Sequence, residues 1–226
     1  MPTHPLLLGH RGARGTKPGE KSIPENTLAA FDFALAQGCD GFEFDVRLSG
    51  DGQAVIFHDA EIHDPRVRGV EIAKLPAQKL ALPLLRDVLQ RYGQRAFLDI
   101  ELKVPGLESI CRNLLRAHPP LCGYVVSSFL PEVLREIHRA NASIPLGLIC
   151  ETQGQFDAWT ELPVQYVIPH HRLIRESVVG DLKNAGRKLF AWTVNSTREM
   201  KQFTEWGVDG IISDNPKSLV DTLRHE

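Results

Sequence analysis

Short β-rich runs and amphipathic helical segments alternate eight times along the chain. Strict alternation implies parallel strands joined by right-handed crossovers, and eight such units close into a (β/α)₈ barrel of about this length. The sequence therefore predicts an α/β fold, a TIM barrel, with a doubly wound open sheet as the competing architecture. Predicted strands cover residues 6–9, 41–46, 95–102, 123–128, 144–150, 165–170, 188–195 and 210–213. Predicted helices cover residues 24–37, 83–92, 106–118, 131–142, 155–162, 175–185, 197–206 and 216–224.

Length and composition favour a single domain over residues 1–226. Of the 226 residues, 42% are hydrophobic and 24% are charged, which is enough to bury a substantial core. The formal charge is −2, and the basic residues are scattered rather than clustered. Such a chain has no long-range field that would attract a polyanion, so we expect no nucleic-acid partner.

Cysteine usage and the amino-terminal residues predict a cytosolic protein. The four cysteines are widely spaced without a CxxC pair, so we expect reduced core thiols rather than disulfides or a zinc site. The stretch MPTHPLLLGHRG lacks the basic region and the apolar run of about 7–15 residues that a signal peptide has. No run approaches the roughly 20 apolar residues that span a bilayer, so we expect no stable membrane insertion. The oligomeric state is not indicated.

One predicted strand, residues 54–58, does not fit the alternation. It follows the second strand after only SGDGQ, which is too short for a helical crossover. The Asp-Gly pair within that stretch is typical of a tight turn. We therefore expect an appended β-hairpin after the second strand, which returns His58 to the neighbourhood of that strand's end.

Acidic residues occupy one face of two predicted strands. Because side chains alternate along a strand, Glu43 and Asp45 project together, and Asp99, Glu101 and Lys103 repeat the pattern on the third strand. Anions close together in a restricted site are costly unless they share a proton or a cation. Hard carboxylate oxygens from adjacent strands suit Mg²⁺ or Ca²⁺ better than zinc. The pattern therefore indicates one divalent cation, with a salt-bridged face neutralised by a basic residue as the alternative.

Histidines and basic residues lie at the same predicted rim. His10 ends the first strand and His58 ends the hairpin, and two imidazoles in opposite protonation states can both take and give a proton. Arg11 follows His10, and Lys103 closes the third strand, where positive charge would favour a phosphate oxygen. The alternative is a structural histidine, a surface arginine and a solvent-directed lysine. The histidines at 170–171, after the sixth strand, are candidate substrate contacts.

These landmarks resemble those of glycerophosphodiester phosphodiesterases, the family that hydrolyses deacylated phospholipid headgroup esters. The matching stretches are HRG at 10–12, PENTLAAFDFALAQGCDGFEFDVRLSGDGQAVIFHD at 24–59, LDIELK at 98–103, AWTVN at 191–195 and GVDGIISDNP at 207–216. They run in family order from His10 to Pro216. Their combination is highly specific, although HRG alone would mean little.

The resemblance implies a role for each candidate residue. Glu43, Asp45 and Glu101 look like the metal ligands, His10 and His58 like the general acid and base, Arg11 and Lys103 like phosphate contacts, and Trp192 like an aromatic wall beside the glycerol or the leaving group. By strand parity Trp192 would also fit the core beside Phe190 and Val194. Asn26 is similar to a family position that helps to hold the site, and it could equally cap the first helix. We interpret Asp214 and Asn215 as caps of the last helix.

The activity that the resemblance implies is metal-dependent hydrolysis of a glycerophosphodiester to sn-glycerol 3-phosphate and an alcohol. The alternatives are a lysophospholipase D and a non-catalytic phosphate-binding barrel. Two segments depart from the family pattern. Residues 13–23, with Arg14, Lys17 and Lys21, are longer than the usual connection. Residues 59–83 are shorter than the insertion with which many members cover the site, so we expect an open leaving-group side.

Overall fold

The computed structural model of the protein describes residues 4–14, 23–62 and 69–224. Two of the basic residues noted above, Lys17 and Lys21, lie outside the described residues. Eight parallel strands follow one another around a closed barrel, with the first strand paired to both the eighth and the second. The strands are Leu6–Gly9, Gly41–Leu48, Phe97–Leu102, Tyr124–Ser128, Leu146–Cys150, Tyr166–Pro169, Lys188–Ala191 and Gly210–Ser213. The predicted TIM barrel is confirmed, and the open sheet is wrong.

Helices follow the strands and cover the outside of the barrel. They are Leu28–Ala36, Leu85–Tyr92, Glu108–Ala117, Pro131–Ala140, Gln153–Asp157 with the 3₁₀ turn Ala158–Glu161, Glu176–Asn184, Thr197–Trp206 and Pro216–Arg224. Each lies where the sequence predicts a helix, with boundaries that differ by a few residues at most. Helix ends depend on capping contacts that periodicity does not describe.

The outward face of the second strand packs against the helices around it. Phe42 stacks on Phe31 with ring centroids 4.2 Å apart, and Tyr92 meets Phe42 edge-on at 5.1 Å. Phe44 joins the same fully buried cluster. Since alternate residues face opposite ways, the apolar residues that pack outward send Glu43 into the barrel.

The floor of the barrel interior is aromatic and aliphatic. Phe190 contacts Phe97 and Tyr166 with ring centroids 5.7 and 5.0 Å away. The seventh strand ends at Ala191, and an isolated bridge between Trp192 and His170 follows it. Val194 therefore packs in the outer layer rather than inward, contrary to the parity prediction.

The appended hairpin is confirmed. Ala54–Ile56 pairs antiparallel with the end of the second strand, with Val46 opposite Ile56. The Phe57 N–H donates to the carbonyl of Asp45 at 3.0 Å, which holds the residue before His58 against the second strand. The short segment that follows contains the strand pair Glu61–Ile62 and Val70–Glu71, the 3₁₀ turn Ile72–Lys74 and the helix Ala77–Leu80.

Two further predictions concern the surface. Within the described ranges, no helix has both the length and the apolar character that a bilayer crossing requires. The cytosolic location stays a prediction. All four cysteines are free thiols, but only Cys39, Cys111 and Cys150 are buried, whereas Cys122 is exposed in the loop before the fourth strand.

Candidate active site

Three buried carboxylates converge at the carboxyl end of the second and third strands. Parallel register places Asp45 beside Glu101 and Glu43 beside Asp99. Oxygen atoms of Glu43, Asp45 and Glu101 all lie within 4.8 Å of one another. Each of these three residues is at most 6% exposed to solvent. The two acid-bearing strand faces predicted from alternation therefore meet in one place.

Two basic side chains only partly neutralise this acidic cluster. The Lys103 ammonium lies 2.7 Å from a Glu101 oxygen and 3.2 Å from Asp45 Oδ1, and Arg11 Nε lies 3.2 Å from Asp45 Oδ2. When all three carboxylates are ionised, the two cations leave one net negative charge. Glu43 Oε1 is buried and has no hydrogen-bond partner among the described residues. An unpaired oxygen in a set of hard donors with excess negative charge fits a divalent cation such as Mg²⁺ or Ca²⁺.

Burial and mutual repulsion shift the pKa values of these acids. Burial, together with the charge of Asp45, raises the pKa of Glu43 well above its usual value and that of Glu101 to about 7. Burial likewise raises the pKa of Asp99 to about 7, although the Ser127 hydroxyl donates to it at 2.5 Å. Burial also acts to raise the pKa of Asp45, but neighbouring basic groups outweigh it and the pKa is lowered. A cation in the cluster would favour the ionised forms.

Asn26 orients the most buried of the three acids. Its amide donates to Asp45 Oδ2 at 2.7 Å, and its carbonyl oxygen accepts from the Asp45 N–H at 3.2 Å. Asn26 has φ +57°, a left-handed conformation that asparagine tolerates better than most residues. The first helix is capped instead by Thr27, whose hydroxyl accepts from the Ala30 N–H. Capping by Asn26 is therefore wrong, and the residue holds Asp45 in place.

His10 lies between two carboxylates. Its Nδ1 is 2.6 Å from Asp214 Oδ1, and its Nε2 is 3.8 Å from Glu43 Oε2. Burial acts to raise the pKa of Asp214, but the hydrogen bond with His10 and the imidazole's charge outweigh it, so the pKa is lowered. Asn215 accepts from the Ser218 N–H at 3.0 Å and caps the last helix, as predicted, whereas the capping role predicted for Asp214 is wrong. Barrel closure pairs Gly9 with Ser213, and this pairing places Asp214 beside His10.

His58 forms a similar pair with the aspartate that follows it in the sequence. Its Nδ1 is 2.7 Å from Asp59 Oδ1, and its backbone carbonyl accepts from Arg47 Nε at 2.6 Å. Burial lowers the pKa of His58, although the charge of Asp45 acts in the opposite direction. The imidazole is therefore mainly neutral near pH 7, with its position fixed by contacts to the hairpin and the second strand.

Arg11 is held by acids on more than one side. Its guanidinium lies 2.5 Å from Glu25 Oε1, and its backbone N–H donates to Glu43 Oε2 at 2.9 Å. Glu25 also pairs with Arg14 at 2.7 Å. Sequence reasoning did not identify Glu25, although it belongs to the PENT stretch. The contact depends on a left-handed backbone at Arg11, with φ +51°, which periodicity does not reveal.

One cavity of about 320 Å³ brings these groups together. Seven of the eight candidate residues line it, and Asp45, 1% exposed, lies beneath its surface. The lining consists of His10, Arg11, Glu43, His58, Asp99, Glu101, Lys103, Phe129, Ile149, Glu151, Ile168, Trp192 and Ile212. The cavity is thus polar towards the first three strands and largely apolar on the other side.

An aromatic wall borders the apolar side. The Trp192 indole N–H donates to the carbonyl of Ile168 at 2.9 Å, and its ring lies nearly perpendicular to those of Phe129 and His170, at 5.6 and 5.3 Å. Sequence reasoning missed Phe129, which carries no motif and reaches the cavity because it follows the fourth strand. The His170 ring packs edge-on against Trp192, and His171 pairs with Glu199 at 3.0 Å. Neither histidine is part of the cavity lining.

Comparison with known proteins matches the chain to one family. The sequence profile of the glycerophosphoryl diester phosphodiesterase family matches residues 10–113 and 122–218. A glycerophosphodiester phosphodiesterase of Caldanaerobacter subterraneus subsp. tengcongensis is 31% identical over 245 aligned positions, covering 97% of this chain and 98% of the relative.

Solved structures with the same fold come from related proteins. A crystal structure from Silicibacter pomeroyi, described as a glycerophosphoryl diester phosphodiesterase by inference, has a TM-score of 0.87 at 22% identity, covering 99% of this chain and 94% of that one. A phosphodiesterase of Oleispira antarctica, solved in complex with the product sn-glycerol-3-phosphate, has a TM-score of 0.82 at 28% identity, covering 97% and 96%. With the profile and the bacterial relative, these matches lead to one conclusion: the chain belongs to the glycerophosphoryl diester phosphodiesterase family and is a phosphodiesterase.

Proposed function

We propose that the protein hydrolyses glycerophosphodiesters to sn-glycerol 3-phosphate and an alcohol, using a divalent cation and two histidines. The observation that carries the proposal is the presence of two imidazoles, each paired through Nδ1 with an aspartate, in the same cavity as a buried carboxylate cluster. Family membership and the product bound to the Oleispira antarctica relative support the substrate class.

The carboxylates of Glu43, Asp45 and Glu101 would hold the cation. A divalent cation there would act as a Lewis acid towards the phosphoryl group and favour loss of a proton from the attacking hydroxyl. Asn26 keeps Asp45 oriented, and the Arg11 N–H keeps Glu43 oriented. Such outer contacts fix ligands and tune their affinity for a metal.

The two histidines would move the protons. An aspartate that accepts from Nδ1–H leaves Nε2 as the basic nitrogen of a neutral imidazole. One of His10 and His58 would take the proton of the attacking hydroxyl, which belongs to the substrate or to water. The other would give a proton to the departing alkoxide oxygen. The geometry is compatible with either assignment.

The basic residues would bind the substrate phosphate. Arg11 and Lys103 line the cavity beside the acidic cluster. Each already faces a carboxylate, which raises the pKa of Lys103 and Arg11 even though burial alone would lower it. Both groups therefore stay charged and can stabilise negative charge that develops on phosphate oxygens.

A substrate panel tests the proposal. Glycerophosphocholine, glycerophosphoethanolamine and glycerophosphoglycerol should release glycerol 3-phosphate in Mg²⁺, Ca²⁺ or Mn²⁺ and not in excess chelator. His58→Asn should lower kcat by at least about 100-fold, the low end for a general acid or base. The matched control His118→Asn lies outside the cavity and should keep wild-type activity. Full turnover in chelator, or preferential cleavage of a lysophospholipid, would contradict the proposal.

A further inference from the structure

The cavity contains one acid that stands apart from the carboxylate cluster. Glu151 follows the fifth strand, which in the cyclic order lies four strands from the first strand in either direction. The remaining acids of the cavity lining, Glu43, Asp99 and Glu101, lie on the second and third strands. Glu151 therefore brings negative charge to the side of the cavity that is otherwise apolar.

The side chain of Glu151 has no structural task in the described part of the chain. Its backbone N–H donates to Gln155 Oε1 at 3.0 Å, in a turn that Thr152 closes as a capping box. Its carboxylate is exposed and forms no hydrogen bond or ion pair with the residues described in the structure. The nearby imidazole of His170 has a pKa lowered by burial, so it does not neutralise Glu151 near pH 7. The carboxylate is available to a ligand.

An aromatic ring in the same cavity suits a cation. Trp192 is half-buried and held by its indole hydrogen bond and two perpendicular rings, so its orientation is fixed before a ligand binds. Tryptophan is the best side chain for cation–π contact. Lys103 already lies 5.8 Å from the Phe129 ring, which shows that a cation fits against this wall. Ile149, Ile168 and Ile212 complete the cavity lining, where methyl groups would be tolerated.

The position of the phosphate determines what reaches this wall. In the proposed function Arg11 and Lys103 would bind the phosphate near the first three strands, so a substituent on the phosphate would extend across the cavity towards the fifth to seventh strands. The volume of about 320 Å³ lies near the lower end of the roughly 300–1,000 Å³ of small-molecule sites. A short alcohol fits this space better than an acyl chain.

We propose that Glu151, together with Trp192, is a specificity-determining residue that makes the enzyme prefer diesters whose alcohol carries a quaternary or primary ammonium group. The inference rests on the proposed function and names its substrate class. An exposed carboxylate and one aromatic face favour a cation by roughly five- to tenfold in affinity. Since the alcohol is bound similarly before and during reaction, the preference is expressed mainly in KM.

The test compares three diesters in wild type, Glu151→Gln and the control Glu132→Gln. Glu132 is an exposed acid in the first turn of the helix after the fourth strand and does not line the cavity. Glu151→Gln should lower kcat/KM about fivefold for glycerophosphocholine and glycerophosphoethanolamine and leave glycerophosphoglycerol unchanged within twofold. Glu151→Lys should lower kcat/KM for the two cationic substrates further. Glu132→Gln should leave kcat/KM unchanged for all three diesters.

Each other outcome has a distinct meaning. An equal loss for all three diesters would show that Glu151 contacts the common glycerol, and no loss would show that it contacts no substrate; either result overturns the specificity assignment and leaves the proposed function intact. Absence of hydrolysis of every diester by the wild type would overturn both. Thermal unfolding of the three variants confirms that they fold, which the exposure of Glu151 leads us to expect.

Discussion

Replacing Asp214 by asparagine should disable His10 through its tautomer rather than through its position. Asp214 Oδ2 accepts from the Asn195 amide at 2.6 Å, while Oδ1 lies 2.6 Å from His10 Nδ1. The orientation of Asn195 is fixed, because its carbonyl oxygen accepts from the Ser213 hydroxyl and from the Asp214 N–H, both at 3.0 Å. In Asp214→Asn the new carbonyl oxygen must therefore face Asn195, and the new amide must face His10.

That arrangement forces Nδ1 of His10 to accept, so the proton of the neutral ring moves to Nε2. The nitrogen that faces the cavity can then no longer take a proton, and the charge-assisted hydrogen bond that supports the imidazolium is lost. We expect kcat to fall by on the order of 10²- to 10⁴-fold, the range for loss of acid–base catalysis or of a correct tautomer. The decrease in kcat should be smaller for Asp214→Ala, because a water molecule at Nδ1 can either donate or accept and therefore does not impose a tautomer.

The assay is steady-state release of glycerol 3-phosphate by wild type, Asp214→Asn and Asp214→Ala, with thermal unfolding as the control for folding. Asp59→Asn provides a comparison at the second histidine, where the aspartate side chain is 53% exposed. The decrease in kcat caused by Asp59→Asn should be smaller than the decrease caused by Asp214→Asn. Wild-type kcat in Asp214→Asn, or a larger loss in Asp214→Ala, would refute the tautomer reasoning.

Three further predictions concern the metal, the thiols and the outer core. A divalent cation at a hundredfold excess over its Kd should raise the free energy of unfolding by about 2.7 kcal/mol, and Glu43→Gln should remove most of this rise; an unchanged rise would place the ion elsewhere. In the native protein only Cys122 should react with a thiol reagent at pH 8, because burial raises the pKa of the other three thiols to about 12. Four equally fast thiols would contradict this. Phe42→Ala should lower the free energy of unfolding by about 3–5 kcal/mol in denaturant titrations, whereas Leu121→Ala, at a 68% exposed side chain, should change it by less than about 0.5 kcal/mol.

The raised pKa values of the acidic cluster mean that ionisation of its carboxyl groups lowers the stability of the folded protein. Glu43 and Glu101 are buried beside Asp45, and their carboxyls ionise at higher pH than in the unfolded chain. Each of them stabilises the folded state below the unfolded pKa and loses that contribution as the pH rises through the folded pKa. Protein lacking a cation should therefore lose stability between about pH 4.5 and pH 7, as the sign of these shifts requires.

Local patterns in the sequence were sufficient for the barrel and for most of the cavity. Strand alternation has a period of two residues, so it predicts that Glu43 and Asp45 share a face without reference to the rest of the chain. The Asp-Gly turn predicts the hairpin that brings back His58. Closing eight βα units puts every strand's carboxyl end at one rim, and Lys103 and Trp192 follow from that rule.

Tertiary structure decided the contacts that depend on which strands and loops become neighbours. Asp214 lies 204 residues from His10 in the sequence, and only closure between the first and eighth strands brings the two together. The sequence is compatible with Asn26 as a helix cap. In the structure its backbone is left-handed, and its amide instead donates a hydrogen bond to Asp45 on the second strand. No sequence pattern identifies Glu151, because its proposed role depends on its position in the closed barrel, across the cavity from the acidic cluster. Periodicity is a local property, whereas a hydrogen-bond partner or a cavity wall is defined by the global register, which no single segment encodes.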